Sequence, residues 1–349
     1  MRGVRTLKTV HDVARAAGVS VATVSRVLNQ HPNVSRKTRE RVMALIGESG
    51  FRPNAIARRL VHGRSGQICF LLSNRDIVHS FHSRVLKGAE DYCRQSHNQV
   101  VFATVGYRLD DDLPSIELPR IIREHGSIDG ILLAGTNYPN LCRYMEELGL
   151  PYVIFGNNLL TGSLAYPRKH AVCFDEQGGA HEAVRFLIEL GHRRIAWVGN
   201  LTKAWYRRRY EGYRVAMKSK RLTLSLVDLK DEPNDEELGR RALPMLLRRF
   251  PKTTAILAQD DEAACGLLEG LRKLGIRVPE DISLVGYDDI AEIRYVTPPL
   301  TTVRVPKEKV GWAMADLLFR SIAAEDVLPD PVPLPTELVL RDSCARVSR

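Results

Sequence analysis

Thr9-Val10-His11-Asp12-Val13-Ala14-Arg15-Ala16-Ala17-Gly18-Val19-Ser20-Val21-Ala22-Thr23-Val24-Ser25-Arg26-Val27-Leu28-Asn29 spells two short helices and the corner between them. Thr9 with Asp12 forms a capping-box pattern, a hydroxyl followed three residues later by a carboxylate. Val13, Ala14 and Ala17 recur at helical spacing until Gly18 stops the helix, and Ser20 caps the next one. On that second helix Val24, Val27 and Leu28 share one face, Ala22, Ser25, Arg26 and Asn29 the other, with Val21 at the border. Ser35 caps a third helix from Arg36 to about Ser49, with Val42, Leu45 and Ile46 as its apolar stripe. Ala14, Gly18 and Val24 stand where a helix-turn-helix needs a small crossing residue, a turn glycine and a buried aliphatic.

The charge sits on the same segment. Residues 1–66 carry 13 Lys and Arg against three acids, whereas the remaining 283 residues balance at 38 of each, so the whole excess of +10 lies on the first fifth of the chain. A basic folded unit attached to a neutral body points to a polyanion-binding module with a different task behind it. A solvated basic tail or a plain three-helix packing module are the alternatives. If the second helix enters a major groove, Arg26 can take guanine O6 and N7 together, and Val21 and Ala22 are small enough to meet a thymine methyl. A phosphate contact is the plainer reading of Arg26. Ser20, Thr23, Ser25, Asn29, Ser35, Arg36, Thr38 and Arg39, with Lys37 and Arg41, are expected to meet the backbone and set register.

After Phe51-Arg52, the stretch Pro53-Asn54-Ala55-Ile56-Ala57-Arg58-Arg59-Leu60 can form a short helix capped by Asn54, followed by a small-residue linker to Gly66. A helix this short is marginal alone. Two copies packed over DNA would support each other, with Leu60 as a minor-groove wedge; an ordinary linker helix is the alternative. From Thr9 to Leu60 the chain resembles the LacI/GalR family of bacterial transcription regulators. The residues that carry the likeness are Asp12-Val13-Ala14, Ala17-Gly18-Val19-Ser20, Thr23 to Asn29, Val34-Ser35, Thr38-Arg39 and Pro53-Asn54 through Leu60. The resemblance implies that Val21, Ala22 and Arg26 read bases and that Asn54, Ala57 and Leu60 meet the minor groove.

The whole chain has 349 residues, 26% charged and 44% hydrophobic, which suits two or three soluble domains and excludes disorder, collagen and coiled coil. Its apolar runs are far shorter than a membrane span, and its N-terminus lacks the apolar core of a signal peptide. Six scattered cysteines without a CxxC pair fit reduced thiols in a cytoplasm. From Ile68 onward, strand candidates at Ile68–Leu72, Val100–Thr104, Ile131–Ala134, Tyr152–Phe155, Ile195–Val198, Ala255–Ala258, Ile282–Val285 and Thr301–Val305 alternate with helical stretches. That is the pattern of parallel, doubly wound sheets, here enough for two subdomains with a cleft between them. Ligands bind beyond the carboxyl ends of such strands, which singles out Ser73-Asn74, Asn157-Asn158, Asp260-Asp261 and Asp288-Asp289, with Phe81, His82 and Trp205 to Tyr210 as aromatic and basic company. Carboxylates, amides and an arginine facing rings suit a polyhydroxylated ligand. Helix caps, core rings and a solvated arginine face are the plain readings of the same residues.

Gly191-His192-Arg193-Arg194-Ile195-Ala196, Asp281 through Asp289 and Pro298 through Val303 extend the family likeness over nearly the whole chain. It implies an all-α helix-turn-helix headpiece (1–51), a hinge helix and linker (52–66), and an α/β periplasmic-binding-protein-like body (67–349). The body divides into an N-subdomain, about 67–174 plus 298–327, and a C-subdomain, about 175–297 plus 328–343. Arg209 matches the effector-binding arginine, Asp288 the effector-binding aspartate, and Phe81 a pocket aromatic; Ser73, Asn74, Asn157, Trp205 and Asp260 complete the expected site. Two departures stand out: Asp260 where asparagine or serine is common, and Gly156 where a pocket aspartate is frequent. No GxSxG, HExxH, P-loop or GxGxxG is present, so no enzyme, cofactor or metal is expected. The expected protein is a cytoplasmic homodimer on double-stranded operator DNA, usually a repressor, controlled by a small effector, a carbohydrate by preference. A transport-type sugar-binding protein and a regulator without an effector are the alternatives.

Overall fold

A computed structural model describes residues 9–28, 33–49, 64–76, 80–124, 126–161, 163, 165, 169–230, 234–323 and 332–347. The chain divides into two compact units, the first residues 1–66 with 125–128 and the second residues 67–124 with 129–349.

In the first unit, α1 (Val10–Ala17) begins at the Thr9–Asp12 box, with Asp12 N donating to Thr9 Oγ1 at 3.2 Å and Thr9 N to Asp12 Oδ2 at 3.0 Å. It ends at Gly18, whose φ of 63° is left-handed and costs glycine least. Then come α2 (Val21–Leu28) and α3 (Arg36–Ser49). The core they share is small: Val13, Ala14, Ala17, Val24, Val27 and Val42, flanked by half-buried Leu45 and Ile46.

The body is two sheets. In the first, β1 (Gln67–Ser73), β2 (Gln99–Val105), β3 (Gly130–Gly135), β4 (Tyr152–Phe155) and β5 (Ala171–Val172) run parallel in the order β2-β1-β3-β4-β5. In the second, β6 (Ile195–Gly199), β7 (Ser225–Asp228), β8 (Ala255–Ala258), β9 (Ser283–Asp288), β10 (Thr301–Arg304) and β11 (Glu337–Val339) stand in the order β11-β10-β9-β8-β6-β7, with only β11 antiparallel. Helices cover both sheets, which is why Ile68 to Leu72 and Ile131 to Ala134 are buried along their whole length rather than alternately.

Beside the first sheet lie α4 (Ser80–Gln95), α5 (Arg120–Arg123) and α6 (Pro139–Glu147). The second carries α7 (Glu176–Glu189), α8 (Ala204–Ser219), α9 (Asp235–Arg249) and α10 (Asp261–Lys273). The last helix, α11 (Lys307–Ile322), packs on α4 at a crossing only glycines allow: a Cβ at Gly88 would stand 1.9 Å from Glu308 O, and one at Gly311 1.8 Å from Val85 O.

The crossing helix shifts one expected boundary. Residues 298–304 were expected with the first subdomain, but Thr301–Arg304 pairs with β9 in the second sheet, and the chain returns to the first only at Lys307. β10 reads Thr301-Thr302-Val303-Arg304, too short and too polar for its own pattern to choose a sheet. Strands β5, β7 and β11 were not expected at all. They are two to four residues long, lie at sheet edges, and offer no continuous apolar run.

Candidate functional site

The first unit presents a divided helix. Val24 and Val27 of α2 are buried, Ala22 and Arg26 are exposed, and Val21, Thr23 and Ser25 are half-buried. Ser20 spends its Oγ on capping, accepting from Thr23 N at 3.1 Å, and Ser35 does the same for Thr38 N at 3.2 Å. On α3, Arg36, Lys37 and Arg41 are exposed and Thr38 and Arg39 half-buried; Arg36 Nε donates to Glu40 Oε1 at 2.7 Å. The small core orients α2, and the caps fix where its exposed face begins. Asn29 and the hinge residues Asn54, Ala57 and Leu60 lie outside the described residues.

The second candidate is the crevice between the two sheets of the body. It is lined from the first sheet's side by Arg75, Phe81, His82, Asn158 and Phe174. From the second side come Trp205, Tyr206, Arg209, Asp235, Asp260, Asp261, Glu262, Asp288 and Ile290. In both sheets the strand order reverses beside the first strand of the set, and the lining residues stand past the carboxyl ends of β1, β8 and β9, where doubly wound folds bind ligands. The open space at its centre is about 50 Å³, room for a few waters.

Arg209 organises this crevice. Its Nη2 donates to Asp288 Oδ1 at 2.8 Å, its Nη1 to Asp288 Oδ2 at 3.4 Å and to Gln259 O at 2.7 Å. The guanidinium also lies 3.9 Å from the centre of the Tyr287 ring. Burial works against the charge of Arg209, yet Asp288 holds its pKa above the ordinary value. Asp288 and Asp289 have φ of 110° and 53°, a strained turn for L-residues. Lys307 Nζ donates to both carbonyls, reaching Asp289 O at 3.2 Å, and Arg304 Nε donates to Asp289 Oδ2 at 2.7 Å.

Around Tyr206 the carboxylates gather. Tyr206 OH stands 2.6 Å from Asp260 Oδ2 and 3.1 Å from Asp235 Oδ2, and Gln259 Nε2 donates to Asp235 Oδ1 at 2.7 Å. Asp260 also caps α10, accepting from Ala263 N at 2.8 Å. Burial, then the carboxylates of Asp235 and Asp288, push the Asp260 carboxyl well above the usual range. Asp261 accepts from Thr302 Oγ1 at 2.6 Å and Ile290 N at 2.9 Å, and burial raises its carboxyl to about 8.

Five expected residues therefore meet here: Phe81, Trp205, Arg209, Asp260 and Asp288. Three do not. Ser73 is fully buried and its Oγ donates to Ala134 O at 2.8 Å. Asn74 donates to Thr136 O and accepts from Tyr107 N. Asn157 binds both the N–H and the carbonyl of Phe174, so it ties the crossover, and its neighbour Asn158 lines the crevice instead. In each case backbone groups past a strand end needed the amide or hydroxyl first. Arg75, Phe174, Asp235, Glu262 and Ile290 were missed. Arg75 satisfies the same past-the-strand rule as Asn74. Asp235 follows a strand the sequence does not announce, so nothing pointed to it.

The run Arg207-Arg208-Arg209 is not a solvated face. Arg208 is buried with Glu176, a side chain 1% exposed, and also donates to Asn157 O. Adjacent arginines on α8 thus serve two places, the crossover and the crevice. Among the described residues no group of three or more His, Cys, Asp or Glu could hold a metal, and no helix is long and apolar enough to cross a membrane.

A folded basic helix-turn-helix unit followed in the chain by a two-sheet body with a polar crevice is the make-up of a DNA-binding regulator. Comparison with known proteins narrows the class. The profile of bacterial regulatory proteins of the lacI family matches residues 9–54, and that of the periplasmic binding protein-like domain residues 184–344. The repressor PurR of Vibrio vulnificus (strain CMCP6) is 30% identical over 345 residues, spanning 98% of this chain and 100% of that protein. Two solved structures are similar over 97% of this chain. The lac repressor dimer bound to operator and the anti-inducer ONPF has a TM-score of 0.76 at 26% identity and is covered to 99%. A transcriptional regulator CelR–cellobiose complex has 0.68 at 32% and is covered to 100%. The chain belongs to the lacI family of bacterial regulatory proteins, DNA-binding regulators of transcription.

Proposed function

We propose that this chain binds a palindromic double-stranded operator as a homodimer, represses transcription there, and is controlled by a carbohydrate in the crevice of its body. The observation that carries the DNA reading is the division of α2, with Val24 and Val27 buried while Ala22 and Arg26 stand in solvent. Arg26 and Ala22, with Val21 beside them, read bases, and Arg36, Lys37, Arg39 and Arg41 meet phosphates and set register. A single three-helix unit covers one half-site, so an inverted repeat calls for two copies.

The effector reading rests on Arg209, Asp260 and Asp288 facing Phe81 and Trp205, a mix of charged groups and rings that suits a ligand rich in hydroxyls. The cellobiose held by the similar CelR structure supports it. A ligand that competes for the Arg209–Asp288 pair or for the Tyr206–Asp260 contact would have two states of the crevice to choose between. Coupling of this kind changes DNA affinity by about 1–3 kcal/mol.

The test is selection of the full chain on random duplex DNA, followed by titration of the enriched site with sugars. Enrichment of an inverted repeat, and a shift in its affinity with one sugar, is the expected result. Equal binding to random and selected duplex at moderate salt refutes the reading.

A further inference from the structure

We propose that the crevice selects its effector by charge, admitting neutral and amine-bearing sugars and refusing sugar acids and sugar phosphates. The proposal rests on the carbohydrate reading above. Its first support is that Arg209, Arg75 and Lys307 already have partners, and that Lys203, 5.5 Å from the centre of the Trp205 ring, lies in the field of Asp235 and Asp260. Arg209 gives both η nitrogens to Asp288 and Gln259 O and lays its face on Tyr287. Arg75 lies 5.8 Å from the centre of the Trp205 ring, with Nε donating to Thr136 Oγ1 at 3.2 Å. Lys307 behind them is turned to the carbonyls of Asp288 and Asp289. An arriving carboxylate or phosphate would have to break one of these arrangements to find a counter-charge.

The second support is the surplus of acceptors. Asp235 and Asp260 add carboxyl groups to the wall beyond the one that Arg209 answers. The hydroxyl of Tyr206 has one proton, yet it stands within hydrogen-bond reach of both Asp260 and Asp235, and Gln259 Nε2 is likewise shared, at 2.7 Å from Asp235 and 3.3 Å from Asp260. The carboxyl groups of Asp235 and Asp260 crowd a few donors, and Asp235, whose charge helps push the Asp260 carboxyl up, leaves lone pairs for a ligand that donates. A sugar hydroxyl donates one hydrogen bond and an ammonium three, whereas an ionised carboxylate donates none.

Arg209 Nε adds a third observation from the opposite side. It is buried and has no hydrogen-bond partner, in a residue 4% exposed that lines the crevice. A hydroxyl can accept from Nε while donating to Asp260 or Asp288, which is the two-way chemistry a polyol supplies.

Matched probes test this on the full chain at pH 7. Glucose, glucosamine, glucuronate and glucose 6-phosphate form one series, and the galactose and mannose counterparts form two more, scored by thermal shift and then by calorimetric titration. In the series that binds, the neutral or amine member should raise the melting temperature. Its acid and phosphate relatives should bind at least about tenfold more weakly, as like charges brought together require. Asp235→Asn should narrow the gap by tightening the acid, a gain that misfolding cannot produce.

An acid or phosphate that binds as tightly as its neutral parent overturns charge selection and leaves the carbohydrate reading standing. A gap unchanged in Asp235→Asn overturns its assignment to these carboxylates. Silence in all three series removes the carbohydrate reading, and this proposal with it.

Discussion

Arg26 on α2 and Arg209 on α8 carry the same side chain into opposite surroundings. Arg26 stands exposed on a helix whose other face is buried, and it has the whole guanidinium available to a partner outside the chain. Arg209 is 4% exposed, held by Asp288, Gln259 O and the Tyr287 ring. In the headpiece charge is displayed, and folding is left to a few small aliphatics and to caps. In the body charge is enclosed, so the groups that would recognise a ligand also hold the strand ends together. Losing a recognition residue should therefore cost binding alone in the first unit, and both binding and stability in the second.

The largest effect should come from breaking the enclosed pair. Arg209→Ala leaves Asp288, with a side chain 13% exposed, without its counter-charge. Removing one partner of a buried pair costs about 3–5 kcal/mol. Urea denaturation of the body should show that loss together with loss of any effector response. A loss below about 1 kcal/mol would mean that the crevice relaxes around the vacancy and that its charge is not structural.

A pH series sharpens the same contrast. Burial raises the Asp261 carboxyl to about 8 from an ordinary 3.8, so the fold holds the neutral acid more readily than the unfolded chain does. Its contribution is fully present below about pH 4 and is lost as pH rises through 8, at about 1.4 kcal/mol per pH unit between those limits. Stability measured from pH 5 to 8 should fall more steeply in the native sequence than in Asp261→Asn. Parallel slopes would show that Asp261 ionises freely in the fold.

The two regions were also unequally legible in the sequence. Thr9 with Asp12, Gly18, Ser20 and Ser35 act on backbone three or four residues away, so their roles could be read from neighbours alone. Long buried strands announced themselves by unbroken apolar runs, whereas β5, β7 and β11 are short edges whose pairing depends on distant chain. The crevice was half visible. Arg209, Asp260 and Asp288 follow from family likeness and strand ends, but the strand-end rule cannot tell an amide aimed at a ligand from one spent on backbone. Asn157 and Asn158 are adjacent and fall on opposite sides of that distinction. Asp235 joins Asp260 only through Tyr206 and Gln259, a meeting arranged by the tertiary fold.

On the displayed side, Arg26→Ala should leave stability within about 0.5 kcal/mol of the native chain, as surface substitutions do. It should cost about 1–3 kcal/mol of discrimination at one symmetric pair of operator positions. Binding to single-base operator variants separates the outcomes. A selective loss identifies a base reader, and an even loss across all sequences makes Arg26 a phosphate contact.

Arg36 gives the smallest effect and the finest distinction. It pairs with Glu40 at the next turn of α3, with side chains 92% and 63% exposed, an ion pair of little consequence for stability. If Arg36 neutralises a phosphate, Arg36→Ala should weaken all duplexes alike and make the salt dependence of binding shallower by about one counterion. Base preferences should not move. Affinity measured from 50 to 200 mM salt on a selected and a random duplex reads both quantities at once. An unchanged salt slope would return Arg36 to the role of a solvated charge, and would show that display alone, without placement against the duplex, does not make a basic residue part of the reading surface.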